Sequence, residues 1–383
     1  SAAFDVEDMN RPRFSTNLSR YLVTCCLRPG ASVVRWSSSE AGADDGAPFF
    51  RYALAIQYHG GTHIGFSRQR GELLDTGGRH GRILPPSVES KITSALDSLA
   101  GPDGHANLAI SSRTDRGVHA LWNAAHVDVR PRRSMGGRPW DPQKILLGLN
   151  RYLPAENGRG RDGATSEDAR VVAVVPAPSH GWSARYDATA RVYVCECFRC
   201  IYPSFLLSPP FAVHIFYSIR SPLHSDRIFL CPPASAFGIP FEHDRSWRLP
   251  VDRLDVRAMN RAAKSFVGTH DFTSFRSVRC SHPNPETTIH GIEVVALPYN
   301  FPLGGYGGVD SGETGRARMV TVTVSAKSFR YRQVRNIVGC LAEVGRGRLA
   351  PEDVGRLLEA RDRAAAPWTA PAHGLYLVDV TYE

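Results

Sequence analysis

The chain has 383 residues, 42% of them hydrophobic and 22% charged. That is enough apolar sequence for a sizeable core, in two lobes or one large elaborated domain, and no uninterrupted apolar run approaches the roughly 20 residues that a membrane-spanning helix needs. The balance of 46 Lys and Arg against 37 Asp and Glu gives +9 and a pI near 9.3, which favours a polyanionic partner.

The excess charge is local: from Ala326 to Arg348 six Lys and Arg stand against one acid, Glu343. Phosphate contacts made by such a patch weaken as salt rises. The eight cysteines show no spacing of a secreted disulfide framework. Cys195-x-Cys197-x-x-Cys200 has no second Cys/His pair at zinc-finger spacing, so these residues read as reduced core thiols in a reducing compartment, and no metal is expected.

Residues 1–47 stand apart. Between Met9 and Ser39 there are five arginines, six serines and no acid, the composition of an organelle transit peptide; the expectation is a mitochondrial protein. Arg51 to Tyr58 puts Tyr52, Leu54, Ile56 and Tyr58 on one face of a strand. It runs into Gly60-Gly61 and Gly65-Phe66-Ser67-Arg68-Gln69, a basic turn beside an aromatic that suits an RNA backbone. Residues 70–86 are a Gly/Pro-rich loop. Ser87 then caps a helix with the stripe Val88, Ile92, Leu96 and Leu99, ended by Gly101-Pro102.

The polar loop Ser111-Ser112-Arg113-Thr114-Asp115-Arg116-Gly117-Val118-His119-Ala120 follows, with two arginines and one acid. Gly117 stands where the backbone needs φ > 0 or a close approach. Ala125, Val127 and Val129 alternate with His126, Asp128 and Arg130, the period of a half-buried strand, so the loop opens onto a sheet edge or cleft. Gln143 to Asn150 reads as a short helix. Val171 to Val175 and Val192 to Phe198 read as strands, and on pattern alone Tyr193 is a core residue.

Apolar pieces within 199–246 are broken by prolines, so no long helix runs through them. The expectation is an insertion that folds onto the domain or onto a protein partner. Helical spacing resumes at Val256, Met259, Ala263 and Phe266, capped by Asp255 and stopped at Gly268. Ile289 to Val295 and Met319 to Ser325 alternate as strands on either side of a Gly-rich loop, 301–316. After Lys327-Ser328-Phe329 a helix is expected, with Val334, Ile337, Val338, Leu341 and Val344 as its stripe and Arg330, Arg332 and Arg335 near its start. Pro351 opens another helix, and Ala372-His373-Gly374-Leu375 leads the last strand. The organisation read from this pass is a segment 1–47, a half 48–198, the insertion 199–246 and a half 247–383.

Five stretches, in this order, resemble the TruA family of tRNA pseudouridine synthases. The loop at 111–120 is similar to that family's G-R-T-D-A-G-V-H-A, with Ser112 and Arg116 in place of a glycine and an alanine. The segment around Gly60 to Gln69 resembles Y-D-G-x-x-x-x-G-W-Q-R-Q, with His59, Phe66 and Ser67 as departures and Arg68 and Gln69 matching. His180 to Tyr193 resembles H-A-R-F-S-A-T-A-R-x-Y, His270 to Arg276 resembles D-F-x-S-F, and Arg335-Asn336-Ile337-Val338-Gly339 lies in V-R-N-I-V-G.

The resemblance implies an α+β pseudouridine synthase fold: two similar halves, with antiparallel and mixed sheets flanked by helices, around a central basic cleft. It implies Asp115 as the catalytic carboxylate, Arg335 as its cationic partner, Tyr193 packed on the target uracil, and Arg113 in the space left by a flipped uridine. Thr114, His119, Arg68, Gln69, Phe275, Arg276 and Arg332 are expected to contact substrate. The isomerisation involves no redox change, so no cofactor and no metal are expected; the carboxylate acts as nucleophile at C1′ or as base in a glycal route. The implied partner is tRNA, at uridines of the anticodon stem-loop, with ribosomal RNA also open, and the implied assembly is a homodimer. The departures from the motifs and the insertions leave a second expectation: an RNA-binding scaffold or ribosome assembly factor on the same fold, with residues 199–246 reaching a ribonucleoprotein particle.

Overall fold

The computed structural model describes residues 48–68, 85–153, 168–199, 245–249, 254–297 and 319–382. The transit-like segment, Gln69, nearly all of the 70–86 loop and of the 199–246 insertion, and the 301–316 loop lie outside the described residues.

The first half runs β1 (Phe50–Tyr58), α1 (Val88–Ala100), β2 (His105–Ile110), β3 (His119–Val129), α2 (Pro142–Tyr152) and β4 (Ala169–Pro176). The second opens at residue 188, not at 247 as the sequence suggested, because β5 (Ala188–Arg199) pairs with the last strands; it continues with β6 (Trp247–Leu249), α3 (Val256–Ala263), β7 (Gly268–Asp271), β8 (Glu286–Leu297), β9 (Met319–Ala326), α4 (Gln333–Gly345), α5 (Asp353–Ala360) and β10 (Leu375–Tyr382). Setting aside β6, β7 and α5, each half is β-α-β-β-α-β. The strand orders β4-β1-β3-β2 and β10-β5-β9-β8 are the same pattern used twice.

The halves join along β3. Its first residues, His119 and Ala120, pair in parallel with Tyr376 and Leu377 of β10. Its last residues pair antiparallel with β2, from Ile110 against Ala125 to His105 against Val129. Two strands thus use one edge of β3 in succession, and the loop 111–118 leaves β2 where they diverge. That divergence opens the cleft.

Capping and stripes set the helices. The Ser87 hydroxyl accepts from Ser90 N–H, and Val88, Ile92, Ala95, Leu96 and Leu99 of α1 are buried. Asp141 and Asp255 cap α2 and α3 in the same way. Two expected starts shift. The helix after Phe329 begins only at Gln333, because Arg332 sits at φ 61 and the Gln333 Oε1 accepts from Arg330 N–H at 2.7 Å, which closes a turn first. Likewise α5 begins at Asp353, not at Pro351.

The half-buried reading of β3 needs correction, since both faces of it, and of β1 beside it, are covered. Ala53 and Ala55 are as buried as Tyr52, Leu54 and Ile56, and His126 and Asp128 are buried with them. The polar face survives because it is paired internally. Arg51 Nε and Nη2 donate to the Asp128 carboxylate at 2.7 and 2.8 Å, Asn107 Nδ2 donates to it at 2.8 Å, and His126 Nδ1 accepts from Ala184 N–H at 3.0 Å. Burial pushes the Asp128 carboxyl upward, but the Arg51 and Asn107 bonds outweigh it and hold it below the usual carboxylate range.

Of the Cys195-x-Cys197-x-x-Cys200 run, Cys195 is a buried free thiol, and no cluster of metal-ligating side chains occurs among the described residues. No described helix is long and apolar enough to cross a membrane.

Candidate active site

The loop 111–118 is fixed to the first half before any side chain reaches the cleft. Ser111 N–H donates to Ala124 O, Phe66 N–H donates to Thr114 O, and Asn123 Nδ2 donates to Ser112 O at 2.9 Å. The Thr114 hydroxyl, buried, shares a 2.8 Å bond with Tyr58 Oη. Val118 N–H closes the turn onto Asp115 O, with Gly117 at φ 83, in the left-handed region that glycine tolerates. A side chain at Gly65 would press on Thr114 O at 2.9 Å, so the segment after β1 can lie flush against the loop only as glycine.

Asp115 is left at the floor of a cleft of about 690 Å³. Arg335, in the first turn of α4, donates from Nη1 to Asp115 Oδ2 at 3.2 Å and from Nε to Ala370 O at 2.7 Å. The two side chains are 13% and 21% exposed, so the pair is shielded but open on one side. Burial lowers the Arg335 pKa and Asp115 opposes that shift; a guanidinium stays charged regardless.

Tyr193, on β5, shares a 2.8 Å bond between its hydroxyl and Ser112 Oγ and stands edge-to-face with Phe329 at 5.3 Å. Burial pushes its phenol up to about 12, with the Ser112 bond opposing, so it remains protonated at neutral pH. Around this pair the cleft is lined by Arg68, Arg113, Arg116, Arg185, Arg279, Arg330, Arg332 and Arg335, with Asp115 its single acid among the described residues. One carboxylate in a wall of guanidiniums suits a polyanion whose reacting atom meets that carboxylate.

The chain is similar to the tRNA pseudouridine synthase family model over residues 262–383. It is 32% identical to tRNA pseudouridine synthase A of Roseobacter denitrificans, over 87% of this chain and 95% of that protein. It is 33% identical to the protein of that name from Dinoroseobacter shibae (87% and 96% covered) and 32% identical to human tRNA pseudouridine synthase-like 1 (87% and 90% covered). The chain belongs to the tRNA pseudouridine synthase family. The scaffold alternative gains nothing from these relatives, two named as synthases and one as synthase-like.

Not every residue expected at the synthase cleft is in it. Asp115, Arg335, Tyr193, Arg113, Thr114, Arg68 and Arg332 line it, while Gln69 lies outside the described residues. His119 does not line it: buried, it accepts from Gly60 N–H at Nδ1 (3.1 Å), which leaves Nε2–H to donate to His373 O (3.1 Å), and it stacks on Tyr376. It is a neutral clamp across the seam. Phe275 is in the core, edge-to-face with Phe266 at 4.8 Å, its carbonyl taken by Asn336 Nδ2. Arg276 reaches the cleft only indirectly, by donating to His282 O at 2.8 Å and so shaping the loop that presents Arg279 and His282.

The main omission is Arg191. Its buried guanidinium donates to Ser111 O (3.2 and 2.9 Å), to Arg185 O (2.8 Å) and to Lys327 O, tying three segments of the cleft wall together. A signal was present: Arg191 is two residues before Tyr193 on one strand, hence on the same face. Arg279 and His282 left no such signal.

Proposed function

We propose that this chain isomerises uridine to pseudouridine in tRNA, with Asp115 as the carboxylate that initiates cleavage of the bond between ribose C1′ and uracil N1. The observation that carries the reading is the lone carboxylate at 3.2 Å from Arg335, beside Tyr193, in an otherwise cationic cleft. Rejoining through C5 requires the base to turn in place, so it must be held without being locked. Tyr193 and Phe329 offer ring surface for this, and a phenol with its pKa raised to about 12 gives a neutral hydrogen-bonding group, not a second base. Arg335 pairs with the carboxylate at 3.2 Å and orients it, and the exposed Arg113 supplies a planar group to occupy the stack that a flipped uridine leaves. Arg68 and Arg332 take phosphates.

The finer assignments are part of the same proposal. Uridines of the anticodon stem-loop are the targets, and two copies of the chain act together. The acid-free, Arg- and Ser-rich stretch between Met9 and Ser39 supports a mitochondrial location.

Asp115→Asn tests the assignment, because it keeps the side chain's size and removes its charge and nucleophilicity. Pseudouridine formation on an anticodon-arm transcript is expected to vanish while RNA binding and melting temperature stay near wild type. Turnover within about tenfold of wild type sinks the assignment.

A further inference from the structure

The cleft does not end at Asp115. On the far side of Arg113 a second groove of about 650 Å³ shares Ser112, Arg113, Arg185, Phe329 and Arg330 with it and continues past Tyr186 and Lys327. The groove's other large apolar side chains, Leu108, Ile110 and Phe329, are partly buried, whereas Tyr186 is 73% exposed. Its exposure is not the looseness of an unsupported loop. Ser183 Oγ accepts from the N–H groups of Arg185 and Tyr186, Ser183 N–H donates to Asp187 Oδ2 at 2.8 Å, and Asp187 N–H returns to Ser183 O. Arg191 then ties Arg185 O and Ser111 O to one guanidinium, which fixes the Tyr186 turn relative to the loop holding Asp115.

One side of the Tyr186 ring is occupied by the Arg185 guanidinium at 5.3 Å. A rigid, exposed aromatic ring with a cation against it, in a basic groove continuous with a base-flipping cleft, is the composition of a single-strand stacking platform. Resting on the pseudouridine synthase reading, we propose that this groove holds the RNA strand adjoining the target uridine. A neighbouring base stacks on Tyr186, and Lys327 and Arg185 take its phosphates. The ligand class is unpaired RNA: a base paired in a helix has no face free for the ring, so the site selects uridines whose neighbour is already splayed or readily unstacked.

The experiment separates this platform from the chemistry by working in an Asp115→Asn background, where binding needs no turnover. An anticodon-arm hairpin carrying 2-aminopurine next to the target uridine, on one side or the other, is titrated with the protein and its fluorescence and anisotropy are read. Stacking on Tyr186 is expected to quench the probe at one flanking position. Tyr186→Ala should abolish that quench and weaken binding about tenfold, equivalent to about 1.4 kcal/mol, whereas Tyr186→Phe should keep both. Lys327→Ala should leave the quench in place and flatten the salt dependence.

Wild-type-like binding and quench in Tyr186→Ala overturn the proposal. So does a Tyr186→Phe protein as defective as the alanine variant, or absence of binding by the unsubstituted protein. Unchanged melting temperatures show that the exposed substitutions left the fold intact. Should the hairpin bind and quench while the chain with Asp115 intact makes no pseudouridine, the activity reading fails and the platform stands.

Discussion

Arg191 offers the sharpest test of how the cleft is held. Arg191→Met keeps the aliphatic stem and removes the guanidinium that binds Ser111 O, Arg185 O and Lys327 O. Each buried acceptor left unpaired costs roughly 1–3 kcal/mol, so the gross loss is about 3–9 kcal/mol. Much of it is offset. No carboxylate pairs with Arg191 among the described residues, and burial lowers its pKa, a sign that the desolvated cation is itself expensive; removing it returns several kcal/mol. The net expectation is a modest destabilisation of about 1–3 kcal/mol, a shift of a few degrees in melting temperature for a chain of this size.

The functional loss should be larger than the stability loss. Freed from Arg191, the loop of Asp115 and the segment at Lys327 lose their common anchor, and a misplacement of about 1 Å at a reacting group costs on the order of 10²-fold in rate. Single-turnover pseudouridine formation at saturating RNA, measured well below the melting transition, should therefore fall about a hundredfold. Arg191→Lys should rescue little, because a point charge lacks the fork that reaches three carbonyls. A single-turnover rate within about threefold of wild type for Arg191→Met would refute the positioning argument.

Arg335→Ala should cost more in catalysis than in RNA affinity, since the Asp115 carboxylate loses its 3.2 Å partner while the other arginines of the cleft remain; equal effects of Arg335→Ala and Arg332→Ala on the single-turnover rate would contradict this. A pH effect on stability follows from His63 and His126. Burial lowers both pKa values, and for His126 the Arg51 cation adds to it. Because the folded values lie below 6.5, their contribution is complete above that pH and is lost as pH falls below it. Urea-unfolding free energies should decline from about pH 6.5 downward, and the decline should flatten in a His63→Gln/His126→Gln double variant; an unchanged slope there removes these residues as its cause.

What was legible in the sequence depended on local rules. Ser87, Asp255, Gly101 and the helix stripes were readable because a cap and its helix are neighbours in the chain, and Gly117 announced its φ through the loop around it. Asp115, Tyr193 and Arg335 were readable only through resemblance, since no periodicity brings together residues 78 and 220 positions away from the aspartate. What failed was pairing at a distance. Asp128 looked solvent-facing because its partner Arg51 lies 77 residues earlier. His119 looked like a ligand-binding group because its acceptor, His373 O, lies 254 residues later. A polar residue in an alternating pattern says that its face differs from the other, not that water covers it.

The same distances explain why the site lies at the seam. Asp115 comes from the first half, while Tyr193 and Arg335 come from the second, so neither half alone holds the three. Yet among the described residues the sheet crosses the seam through only two residue pairs, His119 with Tyr376 and Ala120 with Leu377, too short a ladder to fix a side chain to the tolerance that catalysis asks. The missing rigidity comes from side chains that span the seam. His119 binds Gly60 on one side and His373 on the other, Arg191 reaches from β5 to Ser111, and Tyr382 Oη at the end of β10 donates to Ala184 O at 2.7 Å. These groups are buried and neutral or hydrogen-bonded, as struts must be, whereas Arg68, Arg113 and Arg332, the arginines proposed to meet RNA, are exposed. Burial therefore separates the struts from these arginines, but not from Thr114 and Tyr193, which are buried and still line the cleft.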